Sequence, residues 1–214
     1  LKILFVGDTH GNDYFLKKVI EFVRDNDIDL VIQLGDFGYC ADERDELIRP
    51  FPDPVLDFSF IIDSYARQLG IPVWAIRGNH DDPDFAERYP GTLDLTPGLH
   101  YPRDSSRVQI GKKVFLFNGG AVSIDRFTRT EGISWWSGEM TSEENVRDSI
   151  EPGLCDVWIT HDSVAVPPMK RPLSFGPTID ADLNVQRQRM NTIFHAVRPS
   201  LHIHGHWHVR YNAP

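Results

Sequence analysis

The 214-residue sequence predicts an α/β fold in which a mixed or mostly parallel β-sheet is flanked by helices. Short apolar runs recur along the chain, helical patterns separate them, and polar residues follow them directly. Short runs without polar alternation are typical of strands buried on both faces. The predicted strands are Leu1–Val6, Ile28–Leu34, Ile71–Ile76, Val114–Phe117, Cys155–Thr160 and Leu201–His204.

Helical patterns lie between these runs. Apolar residues three or four positions apart predict a helix over Asn12–Asp25, with Asn12 or Asp13 as its N-cap. Thr141 and Glu144 have the spacing of a capping box, which predicts the start of another helix. The same periodicity predicts two further helices, Val55–Leu69 and Ala181–Val197. Because strands and helices alternate throughout, we expect a single α/β domain over residues 1–214.

Composition narrows the functional classes. A net charge of −9 argues against strong non-specific nucleic-acid binding, which requires a basic surface. No apolar stretch approaches the roughly 18 to 20 residues that span a bilayer, and the opening is too short and too soon acidic for a signal peptide. Cys40 and Cys155 are expected to be free thiols, which fits a reducing compartment. We therefore expect a cytoplasmic protein without membrane contact, and the sequence indicates no oligomeric state.

Polar side chains follow five of the predicted strands, where each strand ends. In open α/β sheets these carboxyl ends line one crevice, so the side chains should converge. Mixed carboxylate and imidazole donors suit Mn²⁺, Fe, Zn²⁺ or Ni²⁺, whereas an all-oxygen set suits Mg²⁺ or Ca²⁺. The segments are Gly7-Asp8-Thr9-His10-Gly11, Gly35-Asp36-Phe37-Gly38, Gly78-Asn79-His80-Asp81, His161 and Gly205-His206-Trp207-His208.

In identity and order these residues resemble the calcineurin-like metallophosphoesterase superfamily, whose pattern runs D-x-H, GD, GNH[D/E], a lone H and GHxH. The resemblance extends from Asp8 to His208 and implies the α/β sandwich of that superfamily. It also implies hydrolysis of phosphate esters by a hydroxide that bridges two divalent metal ions, with Mn²⁺ the ion we expect first. The implied ligands are Asp8, His10 and His208 for one metal and Asn79, His161 and His206 for the other, with Asp36 bridging both.

The same resemblance assigns catalytic roles beside the metals. It implies that His80 donates a proton to the leaving group. Asp81, the next residue, is expected to orient His80. Arg77 and Arg129 are predicted phosphate contacts, because the guanidinium fork matches phosphate oxygens. Further candidates for such contacts are Arg126, Lys170 and Arg171.

The motifs also bear on the substrate. Phosphoprotein phosphatases of the superfamily carry GDxVDRG, whereas this chain has Gly35-Asp36-Phe37-Gly38-Tyr39-Cys40. GNHD together with GHxH is similar to phosphodiesterases that act on cyclic nucleotides. We therefore expect a phosphodiesterase, with 2′,3′-cyclic nucleotides among its candidate substrates. The alternatives are a phosphomonoesterase or protein phosphatase with the same two metals, and a non-catalytic scaffold, against which the complete ligand set argues.

Several other segments carry weaker expectations. The stretch N-G-G-A-V-S-I-D at residues 118–125, with S-W-W further on, resembles compact bacterial and bacteriophage members of the superfamily. Trp135 and Trp136 are expected to pack rather than to stack on a nucleobase. His204 is the histidine outside the ligand set that is best placed to support it. Two long loops are expected where binding elements often lie, Gly38–Pro54 and Val166–Thr178.

Overall fold

The computed structural model describes residues 1–37, 64–83, 93–96, 98–165 and 174–209. Two β-sheets pack face to face, and helices cover their outer faces. This arrangement confirms the predicted α/β fold class, although the apolar runs alone did not show that the strands divide between two sheets. No helix in these ranges is long and apolar enough to span a membrane.

The first sheet has the strand order β1-β2-β3-β5-β4 and the second has the order β6-β7-β8-β9. Among the strands of the described residues, only the β4–β5 and β6–β7 pairs are antiparallel. The first sheet contains β1 (Ile3–Val6), β2 (Leu30–Gln33), β3 (Val73–Ala75), β4 (Leu93–Thr96) and β5 (Leu99–Tyr101). The second contains β6 (Ser106–Ile110), β7 (Lys113–Asn118), β8 (Val157–Thr160) and β9 (Leu201–Ile203).

Three α-helices of the described ranges have defined ends: α1 (Asp13–Asn26), α2 (Glu143–Ile150) and α3 (Pro177–Val197). The predicted N-cap of α1 is present, since the Asn12 side chain accepts from the Phe15 amide at 3.0 Å. The capping box of α2 is formed by Ser142 and Asn145, so the prediction of Thr141 and Glu144 was wrong by one residue. The Thr141 amide is instead buried and donates to the Gln186 side chain at 3.0 Å.

Strand alternation divides the core into layers. In β2, Ile32 faces the second sheet, whereas Val31 faces α1. In β7, Phe115 and Phe117 face the first sheet, whereas Leu116 packs with α2 and α3. Because every second side chain enters a different apolar layer, both sheets are buried on both faces and their loops emerge at the strand ends.

All six predicted strands are present, but β4, β5 and β6 were missed. They are short or mix polar with apolar residues, so no apolar run marks them. Ile110 pairs with Lys113 across a two-residue turn in which Gly111 has a φ of +62°. This glycine was the sequence signal for the β6–β7 hairpin. Of the predicted helix Val55–Leu69, the described residues are 64–69, and these are helical. The loop Gly38–Pro54 and Cys40 lie outside the described residues, and Cys155 is a buried free thiol.

We expect Ile32→Ala to lower the free energy of unfolding by about 2 to 5 kcal/mol, because it leaves a cavity between the two sheets. Ile32 is fully buried there, against the second sheet. Urea denaturation followed by circular dichroism measures the change. Ile133→Ala is the control, since Ile133 is exposed and should change stability by about 0.5 kcal/mol or less. Equal effects of the two substitutions would contradict the layered core.

Candidate metal centre

The loops after β1 and β2 are hydrogen-bonded to each other. The amides of Thr9 and His10 donate to the Asp36 carbonyl at 3.1 and 2.7 Å, and the Gly11 amide donates to the Phe37 carbonyl at 3.0 Å. From the buried end of β2, Gln33 donates to the Gly7 carbonyl at 2.6 Å. These bonds fix the positions of the two segments before any ligand binds.

Asp8, His10 and His208 form one cluster of possible metal ligands, with ligand atoms within 4.8 Å of one another. His208 Nε2 lies 2.7 Å from Asp8 Oδ2, and His10 Nε2 lies 3.5 Å from His208 Nε2. Asp8 Oδ1 accepts from the His206 amide at 3.0 Å, which joins the first and last polar segments. The cluster is open at one edge, since 62% of the His208 side chain is exposed.

Asp36, His161 and His206 form a second cluster, beside Asn79. His161 Nδ1 lies 2.7 Å from the Leu34 carbonyl oxygen, so it donates there and a neutral ring keeps its lone pair on Nε2. That Nε2 lies 3.0 Å from Asn79 Oδ1 and 3.4 Å from Asp36 Oδ2. Three lone-pair donors thus face one another in a buried space, which requires a cation between them, either a proton or a metal ion.

The pKa shifts of His161 and Asp36 also indicate a positive charge in this space. Burial alone would lower the pKa of His161, but the carboxylates of Asp36 and Asp8 outweigh it and raise that pKa to about 10. Burial alone would raise the pKa of Asp36, but the neighbouring His161 outweighs it and lowers the pKa far below its usual range. The residues therefore fit divalent cations, whose binding would replace the proton.

Asp36 is shared between clusters. It belongs to the second cluster and also to a group with His10 and His80. Its Oδ1 accepts from the His80 amide at 2.9 Å, and its Oδ2 lies 3.8 Å from His10 Nε2. A carboxylate between two ligand clusters is the arrangement that a bridging ligand requires.

Strained backbone concentrates at these residues. His10, Asp36, His206 and His208 all have φ between +47° and +67°, a region that non-glycine residues seldom adopt. Such conformations cost about 1 to 3 kcal/mol each and persist where the surroundings impose them. The loops hold the side chains inward at the expense of local stability.

Comparison with known proteins identifies the family. A family profile described as calcineurin-like phosphoesterase matches residues 1–210. The chain belongs to the calcineurin-like phosphoesterases. It is thus related to metal-dependent hydrolases of phosphate esters that use two metal ions. No curated protein matches the sequence.

Three solved structures are similar to this phosphoesterase at low sequence identity. One crystal structure is 16% identical with a TM-score of 0.56, covering 95% of this chain and 83% of its own. A novel archaeal phosphodiesterase is 20% identical with a TM-score of 0.43, covering 74% and 70%. TT1561 of Thermus thermophilus is 15% identical with a TM-score of 0.49, covering 87% and 77%. The first of these matches indicates a common fold, and an identity this low indicates nothing about the substrate.

His80 lies at the edge of the centre in contact with Arg129. An Arg129 Nη2 hydrogen bond of 2.6 Å reaches His80 Nε2, so this nitrogen accepts and the ring proton of neutral His80 lies on Nδ1. Arg129 is itself held by Asp125, at 2.9 Å, and by the Ser134 carbonyl, at 3.2 Å. Burial, together with the guanidinium charge, lowers the pKa of His80 to about 4.

Two predicted site residues of this phosphoesterase, Asp81 and Arg77, make hydrogen bonds to the surrounding scaffold. Asp81 Oδ2 accepts from the amides of Gly78 and Phe37, at 2.7 and 3.3 Å, and so braces two ligand-bearing loops. Arg77 is buried, and its guanidinium donates to Asp104 at 2.8 and 2.9 Å and to the Glu139 carbonyl at 2.8 Å. The guanidinium of Arg77 thus holds the scaffold, and its contact with a phosphate stays a prediction.

The remaining candidates are distributed around the centre. Arg126 pairs with Asp182 at 2.5 Å and lies 5.6 Å from the Trp135 ring, which is consistent with packing of that tryptophan. His204 Nδ1 lies 3.1 Å from the Gly205 carbonyl oxygen, and support of the ligands by His204 stays a prediction. Lys170 and Arg171 lie outside the described residues.

Polar residues outside the predicted set support the ligands. Asp162 is buried and accepts from Trp207 Nε1 at 3.0 Å, which anchors the last polar segment. Ser123 and Glu139 form a buried chain of hydrogen bonds to Asn79. A polar residue directly after His161 was a signal for Asp162, whereas nothing in the sequence connects Ser123 with Glu139.

We expect Gly78→Ala to weaken metal binding by about 10- to 100-fold, as loss of the contacts that orient a metal ligand does. A methyl group at Gly78 would overlap the Asp36 carboxylate and the Asp36 amide. Calorimetric titration of metal-free protein with Mn²⁺ measures the affinity. Gly138→Ala is the matched control, because the nearest atom to its methyl group would be Pro83 Cγ at 3.9 Å. Unchanged affinity in Gly78→Ala would show that Asp36 is not a ligand.

Proposed function

We propose that this protein hydrolyses phosphodiesters, with 2′,3′-cyclic nucleotides among its candidate substrates, and that it uses two divalent metal ions. The observation that carries the proposal is the cluster of facing lone pairs on His161, Asn79 and Asp36, which only a cation can satisfy. When bound, the metals would supply a hydroxide nucleophile at neutral pH and neutralise the phosphoryl oxygens. The donor set fits two ions, because Asp36 belongs to two groups of possible metal ligands and could be shared between two ions.

The proposed ligands divide as the family resemblance implies. In this assignment Asp36 bridges, and its buried carboxylate keeps its charge because His161 lies beside it. Mn²⁺ is the proposed ion, since the donors mix oxygen and nitrogen, with Fe, Zn²⁺ and Ni²⁺ as alternatives. We propose Asp8, His10 and His208 for one ion and Asn79, His161 and His206 for the other.

The leaving-group side of the site is proposed to consist of His80 and Arg129. Both carry nitrogen donors, and they are in contact at 2.6 Å. In this role His80 acts in its protonated form, in which Nε2 no longer accepts from Arg129, and passes a proton to the departing oxygen, while Arg129 would stabilise the negative charge of that oxygen. Arg129 is suited to a fixed role because Asp125 and Ser134 hold its guanidinium in place. Asp81 would act on this pair only through the loop that it braces.

Preference for a diester rests on two features. The sequence after Asp36 is Phe37-Gly38-Tyr39-Cys40, where phosphoprotein phosphatases continue x-Val-Asp-Arg, so it lacks the arginine that their motif supplies. The centre is also open on the side of His10 and His208, whose side chains are 34% and 62% exposed. An open edge admits a phosphate with substituents on two oxygens. A cytoplasmic location is proposed because the sequence has two cysteines, too few for a disulfide framework.

A substrate panel tests the proposal. Metal-free protein reloaded with Mn²⁺ is assayed on bis-(p-nitrophenyl) phosphate, p-nitrophenyl phosphate and 2′,3′-cyclic nucleotides. We expect higher kcat/KM on the diesters than on the monoester, and loss of all turnover with a chelator. Equal or greater turnover of the monoester would indicate a phosphomonoesterase or protein phosphatase instead. Absence of both turnover and bound metal would indicate the non-catalytic scaffold.

We expect His80→Ala to retain two bound Mn²⁺ and to lose far more activity on diesters with poor leaving groups than on p-nitrophenyl esters. A general acid contributes about 10²- to 10⁴-fold, and most where the leaving oxygen is basic. Rates are measured on a series of aryl diesters and plotted against the pKa of the leaving group. The slope should be steeper for His80→Ala than for the unmodified protein. The matched control is His195→Ala, at the end of α3 and outside the ligand groups. A uniform loss across all esters would remove His80 from this role.

A further inference from the structure

A buried chain of hydrogen bonds leads away from Asn79, on the side opposite its contact with His161. Asn79 Nδ2 donates to Ser123 Oγ at 2.9 Å. Ser123 in turn donates through its hydroxyl to Glu139 Oε2, at 2.5 Å, and through its amide to Glu139 Oε1, at 2.9 Å. Only 1% of Ser123 and 2% of Glu139 is exposed. Burying a carboxylate is costly, so its presence here requires an explanation.

Ser123 and Glu139 lie at opposite ends of the segment between β7 and α2, and other contacts hold Glu139 in place. The Glu139 carbonyl accepts from the Arg77 guanidinium at 2.8 Å, and the Glu139 amide donates to the Trp136 carbonyl at 3.1 Å. Arg77 is in turn paired with Asp104. The carboxylate of Glu139 is therefore presented from a fixed backbone.

The direction of each hydrogen bond follows from which atoms carry protons. When Glu139 is ionised its carboxylate can only accept, so the single hydroxyl proton of Ser123 then goes to Glu139. The Ser123 oxygen then offers only lone pairs to Asn79, so Asn79 must donate through its NH₂ group. This fixes the amide with Oδ1 turned toward His161 Nε2, 3.0 Å away. An asparagine amide turned the other way would present NH₂, which has no lone pair for a metal ion.

We propose that Glu139 is a positioning residue that sets the orientation of the Asn79 amide through Ser123, so that the amide oxygen is available to a metal ion. The inference rests on the proposed metal centre and adds residues for which neither the family pattern nor the motifs gave a role. Arg77 would contribute indirectly to the same positioning, because it holds the backbone of Glu139. Supporting hydrogen bonds of this kind affect metal affinity by about 10- to 100-fold when they are removed.

Glu139→Gln is the sharpest test because it keeps the size of the side chain and exchanges one accepting oxygen for an NH₂ donor. The Ser123 amide still needs the remaining oxygen, so the new NH₂ group meets the Ser123 hydroxyl and directs its proton toward Asn79. That arrangement favours the reversed amide. We expect calorimetric titration with Mn²⁺ to show one of two sites weakened by about 10- to 100-fold, and the other unchanged.

Control variants separate positioning from simple structural support. Glu143→Gln makes the same charge change at the first residue of α2, where Glu143 pairs on the surface with Arg189, and should leave both Mn²⁺ affinities unchanged. Thermal unfolding of the metal-free proteins is measured in parallel. A purely structural role would lower the unfolding temperature of Glu139→Gln and leave its Mn²⁺ affinity equal to that of the unmodified protein, which would overturn the proposal.

A double variant shows whether the effect passes through Asn79. If it does, Glu139→Gln should cause no further loss of Mn²⁺ affinity once Asn79→Ala is present, because coupled residues are not additive. An equal loss in both backgrounds would overturn the proposal. If Glu139→Gln does not fold, Ser123→Ala serves instead, and an unchanged Mn²⁺ affinity in that variant would overturn it. Failure of the unmodified protein to bind two Mn²⁺ ions would refute the metal centre itself.

Discussion

The structure depends on one electrostatic constraint, which is the crowding of lone-pair donors at the ends of the strands. The neutral His161 ring has a single N–H, which donates from Nδ1 to the Leu34 carbonyl. Its Nε2 then faces Asn79 and Asp36. Such a space is unfavourable without a positive charge, so the fold is completed by a cation. The strained φ angles at His10, Asp36, His206 and His208 are consistent with a site whose geometry is imposed by its surroundings.

Much of the site could be predicted because its residues are marked by position. Asp8, Asp36 and His161 directly follow apolar runs, and strand ends of an α/β sheet converge whatever their separation in sequence. The first helix was recognised for a similar local reason, since Asn12 precedes an amphipathic stretch and caps it. Features that depend on neighbours in the chain were therefore accessible to sequence analysis.

Features that depend on distant partners were not accessible. Arg77 has the chemistry of a phosphate ligand, and only the position of Asp104 shows that its donors are occupied. The strand β6 is half polar, and its register with β7 defines it better than its own composition does. Ser123 and Glu139 stand in an irregular segment without periodicity, so their hydrogen bonds to each other and to Asn79 could be found only in three dimensions.

The division into two sheets has a mechanical consequence. Asp8, Asp36 and Asn79 follow strands of the first sheet, whereas His161 and His206 follow strands of the second. An ion held by both sets would join the two sheets at one edge, in addition to the apolar contacts between their faces and the hydrogen bonds between their loops. Sliding of one sheet over the other would then break coordination bonds, and the free energy of metal binding would resist shear within the sandwich.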